Sequence, residues 1–146
     1  MLSIERNVGR LVESRMASPL TLDEIAMADV EIFGHIEAIA GRIVICSDNT
    51  QLSVLPGDLA NAIARAFRGH NAAIERSAIL VASSSPTRVL QTGRVVAESE
   101  SPNRRCFRVA QDAIAWLSPL LTEAETARLC RFFQVPQGHG LDLSLT

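Results

Sequence analysis

Residues 74–117, IERSAILVASSSPTRVLQTGRVVAESESPNRRCFRVAQDAIAWL, limit what this chain can fold into more than any other stretch. Residues 78–82 are a short, unbroken apolar run, as a strand covered on both faces requires. Ser83-Ser84-Ser85 then offers hydroxyls to cap a helix. Pro86 takes the first turn, where its missing N–H costs nothing. Along that helix Pro86, Val89, Leu90, Gly93, Val96 and Ala97 share a stripe predicted to face inward, with Gly93 letting the helix sit close on the sheet. A polar loop over 98–103 leads to a last strand at Cys106-Phe107-Arg108. A helix over 112–121 follows, burying Ile114, Leu117 and Trp116. Strand, helix, strand, helix defines a layered α/β domain.

The rest of the chain extends this pattern. Residues 2–5 and 10–16 alternate well enough for a hairpin joined through Asn7-Val8-Gly9, with Gly9 taking φ > 0. Ser18-Pro19 breaks the second strand. Thr21-Leu22-Asp23-Glu24 is a capping box, opening a helix that runs to about Ala40 and stops at Gly41. Its predicted apolar face is Leu22, Ile25, Ala26, Phe33, Ile36 and Ala40. Asp29 falls within that face, as a helix break, a polar bond at the rim or a site. Residues 42–46 (RIVIC) read as a buried strand, 47–53 as a loop, and Pro56 opens a second helix ended by Gly69-His70-Asn71. Thr122-Glu123-Ala124-Glu125 repeats the capping box for a fifth helix reaching about Phe133. From Gln134 onward Pro, Gly and small polar residues predict a mobile tail. The order β-β-α-β-α-β-α-β-α-α predicts a mixed sheet of about five strands, parallel after the first hairpin.

Composition excludes several classes. The chain has 146 residues, 47% of them hydrophobic, enough for one domain with a core of its own. Apolar runs fall short of the ~20 residues that span a bilayer, and the N-terminus lacks a signal-peptide pattern, so a cytoplasmic protein is expected. Cys46, Cys106 and Cys130 are odd in number and widely spaced, which fits reduced thiols, not a disulfide framework or zinc site. The net charge of −2 gives no reason to expect nucleic-acid binding, and no cofactor is implied. Charge is unevenly spread: residues 1–63 hold four Arg against nine acids, residues 64–111 eight Arg against three acids.

Several strings resemble the STAS superfamily, in its branch of small bacterial STAS/SEC14-like (SpoIIAA-like) proteins. Pro19-Leu20-Thr21 is similar to the "G-x-L-T" entering the first helix there. Residues 42–46 with Asp48 resemble the third strand and the acid after it. Ile74-Glu75-Arg76-Ser77-Ala78 resembles "I-E-R-x-A". Phe107 with residues 113–117 (AIAWL) resembles the closing "F…A-x-x-W-L". The resemblance covers about residues 1–118 and implies a STAS-like sheet, with the helix over 118–133 as an addition. Anti-sigma-factor antagonists of that superfamily carry "D-S-S-G" at the start of the second helix, with a phosphorylatable Ser. Here those positions read Val54-Leu55-Pro56-Gly57, so the resemblance implies a module without that acceptor.

Three surfaces emerge as candidates. The first is the loop from Asp48 to Gly57 with the exposed face of the second helix: Asp48, Thr50, Ser53, Gly57, Asp58, Asn61 and Arg65. It lies at the carboxyl end of a parallel strand, where open α/β sheets bind ligands and partners. The second is an anion site at Ser84, Ser85 and Arg88 on a helix N-terminus. The third is Arg104-Arg105, suited to an acidic partner or headgroup. His35, His70 and His139 lie in unrelated contexts, with no HxxxH or GxSxG. The expectation is a non-enzymatic regulatory or protein-interaction module. The alternative is a SEC14-like carrier of a lipid or small apolar ligand, and an enzyme would need polar groups converging in a cleft. A homodimer follows if Leu129, Phe132 and Phe133 are left uncovered by the domain.

Overall fold

Five strands lie side by side in chain order: β1 (Leu2–Val8), β2 (Leu11–Ala17), β3 (Ile43–Gln51), β4 (Ile74–Leu80) and β5 (Arg104–Phe107). β1 and β2 are antiparallel, and each later pair is parallel. These positions come from a computed structural model, which describes residues 1–136. The predicted mixed sheet and its element order are therefore present.

Period-two alternation sorts the core onto both faces of the sheet. Ile43 and Ile45 of β3 join Val12 and Ile74 under α1 (Leu22–Ala38). Next to them, α2 (Gly57–His70) and α3 (Pro86–Glu98) bury Leu59, Ile63 and Val95 with Met16, Leu52 and Leu55. On the opposite face Val44 and Cys46 meet α4 (Ala110–Leu117) and α5 (Glu123–Phe132) through Ala113, Leu117, Leu129 and Phe132. Leu129, Phe132 and Phe133 are thus covered by this domain, so that stripe supplies no dimer surface.

Both capping boxes form. Thr21 Oγ1 accepts from Glu24 N at 3.2 Å while Glu24 Oε1 accepts from Thr21 N at 3.1 Å. Thr122 and Glu125 repeat the exchange at 3.1 and 2.8 Å. The β1–β2 turn places Gly9 at φ +57°, a region that costs glycine little.

Some boundaries differ from the sequence reading. β3 continues five residues past Cys46, through the polar run Ser47–Gln51 that reads as a loop, because β2 and β4 keep pairing with it: Arg15 lies opposite Asp48 and Ala17 opposite Gln51. β5 begins at Arg104, two residues early, paired with Ser77. α4 stops at Leu117, and Ser118–Leu120 is a 3-10 turn leading to the cap of α5.

Two helix faces also differ. α1 buries Ile25 and Ala28, while Leu22, Ala26 and Phe33 lie exposed. α3 turns Arg88, Thr92 and Val95 inward and leaves Leu90 75% exposed. Gly93 is exposed, and a Cβ there would meet nothing within 4 Å, so it mediates no close packing. The expected tail does not start at Gln134. Gln134 takes φ +58° and Val135 N–H donates to Cys130 O at 2.8 Å, closing α5 in a Schellman turn, and Val135 packs on the core. The remainder of that expectation, 137–146, lies outside the described residues.

Candidate functional site

α2 and α3 run beside each other from the carboxyl ends of β3 and β4, and the space between them is an open groove of about 570 Å³. The loop before α2 supplies Val54, α2 supplies Gly57, Ala60 and Asn61, and α3 supplies Leu90 and Arg94. Val54 is 50% exposed and Leu90 75%. Two large apolar side chains in water beside a concave surface are what a docking site needs. The loop itself is held firmly. Leu52 and Leu55 are buried, and the Gln91 side chain spans the groove floor, accepting from Leu55 N at 2.9 Å and donating from Nε2 to Leu55 O at 2.7 Å. Pro56 caps α2 without a side-chain bond, leaving the first-turn N–H groups of α2 to water or a partner.

Of the first set of expected residues, Gly57 and Asn61 line this groove, with Asp58 exposed at the same end of α2. Ser53 is exposed in the preceding loop, its N–H donating to Ser18 Oγ at 2.8 Å. Arg65 is exposed on the side of α2 that faces α1. Asp48 and Thr50 sit within β3 instead. Asp48 Oδ2 accepts from Arg15 Nη1 at 3.1 Å, and Arg15 also lies 4.2 Å over the Phe132 ring and donates to Phe132 O. Asp48 Oδ1 accepts from Thr50 N–H and hydroxyl at 3.0 and 2.7 Å. Arg15 and Asp48 thereby fasten β2, β3 and α5, with Thr50 bracing Asp48 from within β3.

The expected anion residues are dispersed. Ser85 caps α3 by accepting from Arg88 N at 3.3 Å, and Ser84 is exposed. Arg88, 4% exposed, points inward with Nη1 donating to Gln91 Oε1 at 2.8 Å. Arg104 and Arg105, adjacent in a strand, lie on opposite faces: Arg104 over Phe67 of α2 at 4.3 Å, Arg105 over Trp116 of α4 at 5.1 Å.

The sequence reading missed one polar cluster because its members are far apart in the chain. Asp29 of α1, His70 at the end of α2 and Arg104 of β5 line a single apolar cavity between the helices and the sheet. His70 Nε2 lies 2.6 Å from Asp29 Oδ1, but without the alignment of a linear hydrogen bond. Phe33 meets the imidazole edge-on at 4.7 Å. Burial lowers the His70 pKa against the upward pull of Asp29, and Arg104 adds to the lowering. The one signal in sequence was Asp29 interrupting an apolar face.

No protein-family model matches this chain, and no curated protein does. Solved structures do. An uncharacterized protein of the DUF3478 family with a SpoIIAA-like fold, from Shewanella loihica, superposes with a TM-score of 0.59 over 80% of this chain and 92% of its own, at 19% identity. The anti-sigma factor antagonist SpoIIAA in its unphosphorylated form gives 0.57 over 84% of this chain and 100% of its own, at 16% identity. The fold is SpoIIAA-like, that is STAS-like, as the sequence motifs imply. Among the described residues no helix is long and apolar enough to cross a membrane, and no group of three or more His, Cys, Asp or Glu is placed to hold a metal.

Proposed function

We propose that this chain is a non-enzymatic regulatory module of the bacterial cytoplasm that docks a segment of another protein in the α2–α3 groove. One observation carries the reading: Val54 and Leu90 stand exposed on opposite lips of a groove whose floor is fixed by the Gln91–Leu55 pairing. An apolar anchor on the partner would fill the space between them, with an acid beside it to meet Arg94. Positions 54–57 offer no hydroxyl, so docking works without a phosphate at the start of α2. Nothing in the net charge favours nucleic acid.

What weighs against the carrier of a full-length lipid is size. The interior cavity is about 40 Å³, against roughly 300–1,000 Å³ for pockets that enclose larger ligands. A photo-crosslinker at Asn61 tests the docking reading, with one at exposed Ala115 on α4 as the control. A specific adduct at position 61 that Leu90→Glu abolishes supports it. Adducts equal at both positions, or indifferent to Leu90→Glu, refute it.

A further inference from the structure

Arg104 is a buried cation without an anion. Its side chain is 3% exposed, its Nη1 donates to Asn71 Oδ1 at 2.9 Å, and its Nε–H has no partner. No carboxylate lies within 4 Å of it among the described residues. Burial lowers its pKa to about 10, so it stays protonated at neutral pH. A buried charge left unpaired is strongly unfavourable, and stacking on Phe67 offsets only part of that.

The guanidinium borders the cavity described above, whose walls include Ile25, Ala28, Ile32, Ile63 and Ile74. At about 40 Å³ the space takes roughly three waters, at 10–15 Å³ each, or a few carbon and oxygen atoms. Ile25, Asp29 and Ala66 line both this cavity and an open groove of about 340 Å³ between α1 and α2, which has Arg65 among its walls, so the two spaces share a wall of three side chains. Asp29 stands where the two meet, with its side chain 35% exposed.

We propose that the cavity is a binding site for a short aliphatic monocarboxylate, its carboxylate turned toward the Arg104 guanidinium and its alkyl end among Ile25, Ile32 and Ile63. Each part of the ligand answers a feature of the site. The single negative charge balances the single unpaired cation. The short chain matches both the volume and the apolar walls. Asp29 opposes any anion in this space, which disfavours the doubly charged phosphate and sulfate more than a monocarboxylate. The site is separate from the docking groove, which lies on the far side of α2.

Methyl NMR of the full-length protein, isotope-labelled at isoleucine, reads the cavity directly. Propionate should shift the Ile25, Ile32 and Ile63 methyls saturably in the millimolar range, with its neutral counterpart 1-propanol and with sulfate both weaker. Arg104→Gln should weaken propionate about tenfold or more and leave 1-propanol unchanged. Ala28→Leu, which fills the cavity and keeps Arg104, should abolish the response even if Arg104→Gln fails to fold. Leu90→Glu should leave it intact, which keeps this site apart from the docking reading. The proposal is overturned if acetate, propionate and butyrate all leave these methyls unmoved. It is equally overturned if sulfate acts as well as propionate, or if a folded Arg104→Gln or Ala28→Leu variant binds propionate like the wild type.

Discussion

The side chain of Gln91 pairs with the backbone of Leu55 as a neighbouring strand would, taking its N–H at 2.9 Å and giving an N–H to its C=O at 2.7 Å. One amide on α3 thereby satisfies both polar groups of a half-buried loop and fixes the approach to α2. The same Gln91 Oε1 accepts from the inward-facing Arg88, so the loop, α3 and a buried guanidinium form one connected unit.

Gln91→Ala should therefore cost about 3.5–5 kcal/mol: two backbone hydrogen bonds at about 1 kcal/mol each and the charge-assisted bond from buried Arg88 at about 1.5–3 kcal/mol. The effect should be local as well. Amide exchange at Leu55 should speed up well beyond what the global loss explains, as seen by hydrogen exchange followed by NMR. Unchanged protection at Leu55 would mean that the burial of Leu52 and Leu55 alone holds the loop.

Gly9 and Glu125 form a second coupled pair. A Cβ on Gly9 would clash with Glu125 Oε2, the atom that accepts from Arg10 N at 2.7 Å. Gly9→Ala thus combines about 1–2 kcal/mol for a positive φ with displacement of a buried carboxylate, about 1–3 kcal/mol. Urea denaturation of Gly9→Ala, Glu125→Ala and the double variant should reveal strong non-additivity, the double being much less damaged than the sum. Additive losses would show that φ alone matters at Gly9.

The succession of elements was legible because local chemistry marks it: two capping boxes, the hairpin glycine, Pro86 in a first turn. What was not legible is which way helices turn. On α3 the apolar residues Leu90 and Ala97 are set against Arg88 and Thr92, and the sheet edge under α3 accepts the second set. Periodicity finds a stripe but not what faces it. The same holds for β3, whose polar end stays a strand because β2 continues beside it, which no single segment encodes. The groove lips were half-visible through Gly57 and Asn61. The Asp29–His70–Arg104 cluster was not, since its three members come from three elements that meet only in the folded chain.

Thr92 tests the interior under α3. Its Oγ1 is buried without a partner, as are Asn49 Oδ1 and Arg88 Nε, and all three residues line a void of about 20 Å³. Thr92→Val removes an unsatisfied hydroxyl at nearly constant volume and should stabilise by about 1 kcal/mol. A loss of similar size in thermal denaturation would instead reveal a bound water bridging the three residues.

His70 sets the acid limb of stability near neutrality. Burial holds its folded pKa below the ordinary 6.5. The groups facing it are Asp29 from α1, which favours the charged form, Arg104 from β5, which opposes it, and the ring of Phe33. Because the unfolded chain takes the proton first, this contribution is complete above pH 6.5 and declines as pH falls from there to the folded pKa. The carboxylates held below their ordinary range, Glu75 by the Arg10 hydrogen bond and Glu125 by bonds from Thr122 and Arg10 overcoming burial, contribute above pH 4.5 and are lost only under more acid conditions. As pH falls from 7.5 to 5.5 the wild type should therefore lose stability in urea denaturation. His70→Gln should flatten that slope, and the His70 ring signals should titrate below 6.5. Titration above 6.5, with stability rising on acidification, would mean that the 2.6 Å contact with Asp29 outweighs burial and that the two form an ion pair across α1 and α2.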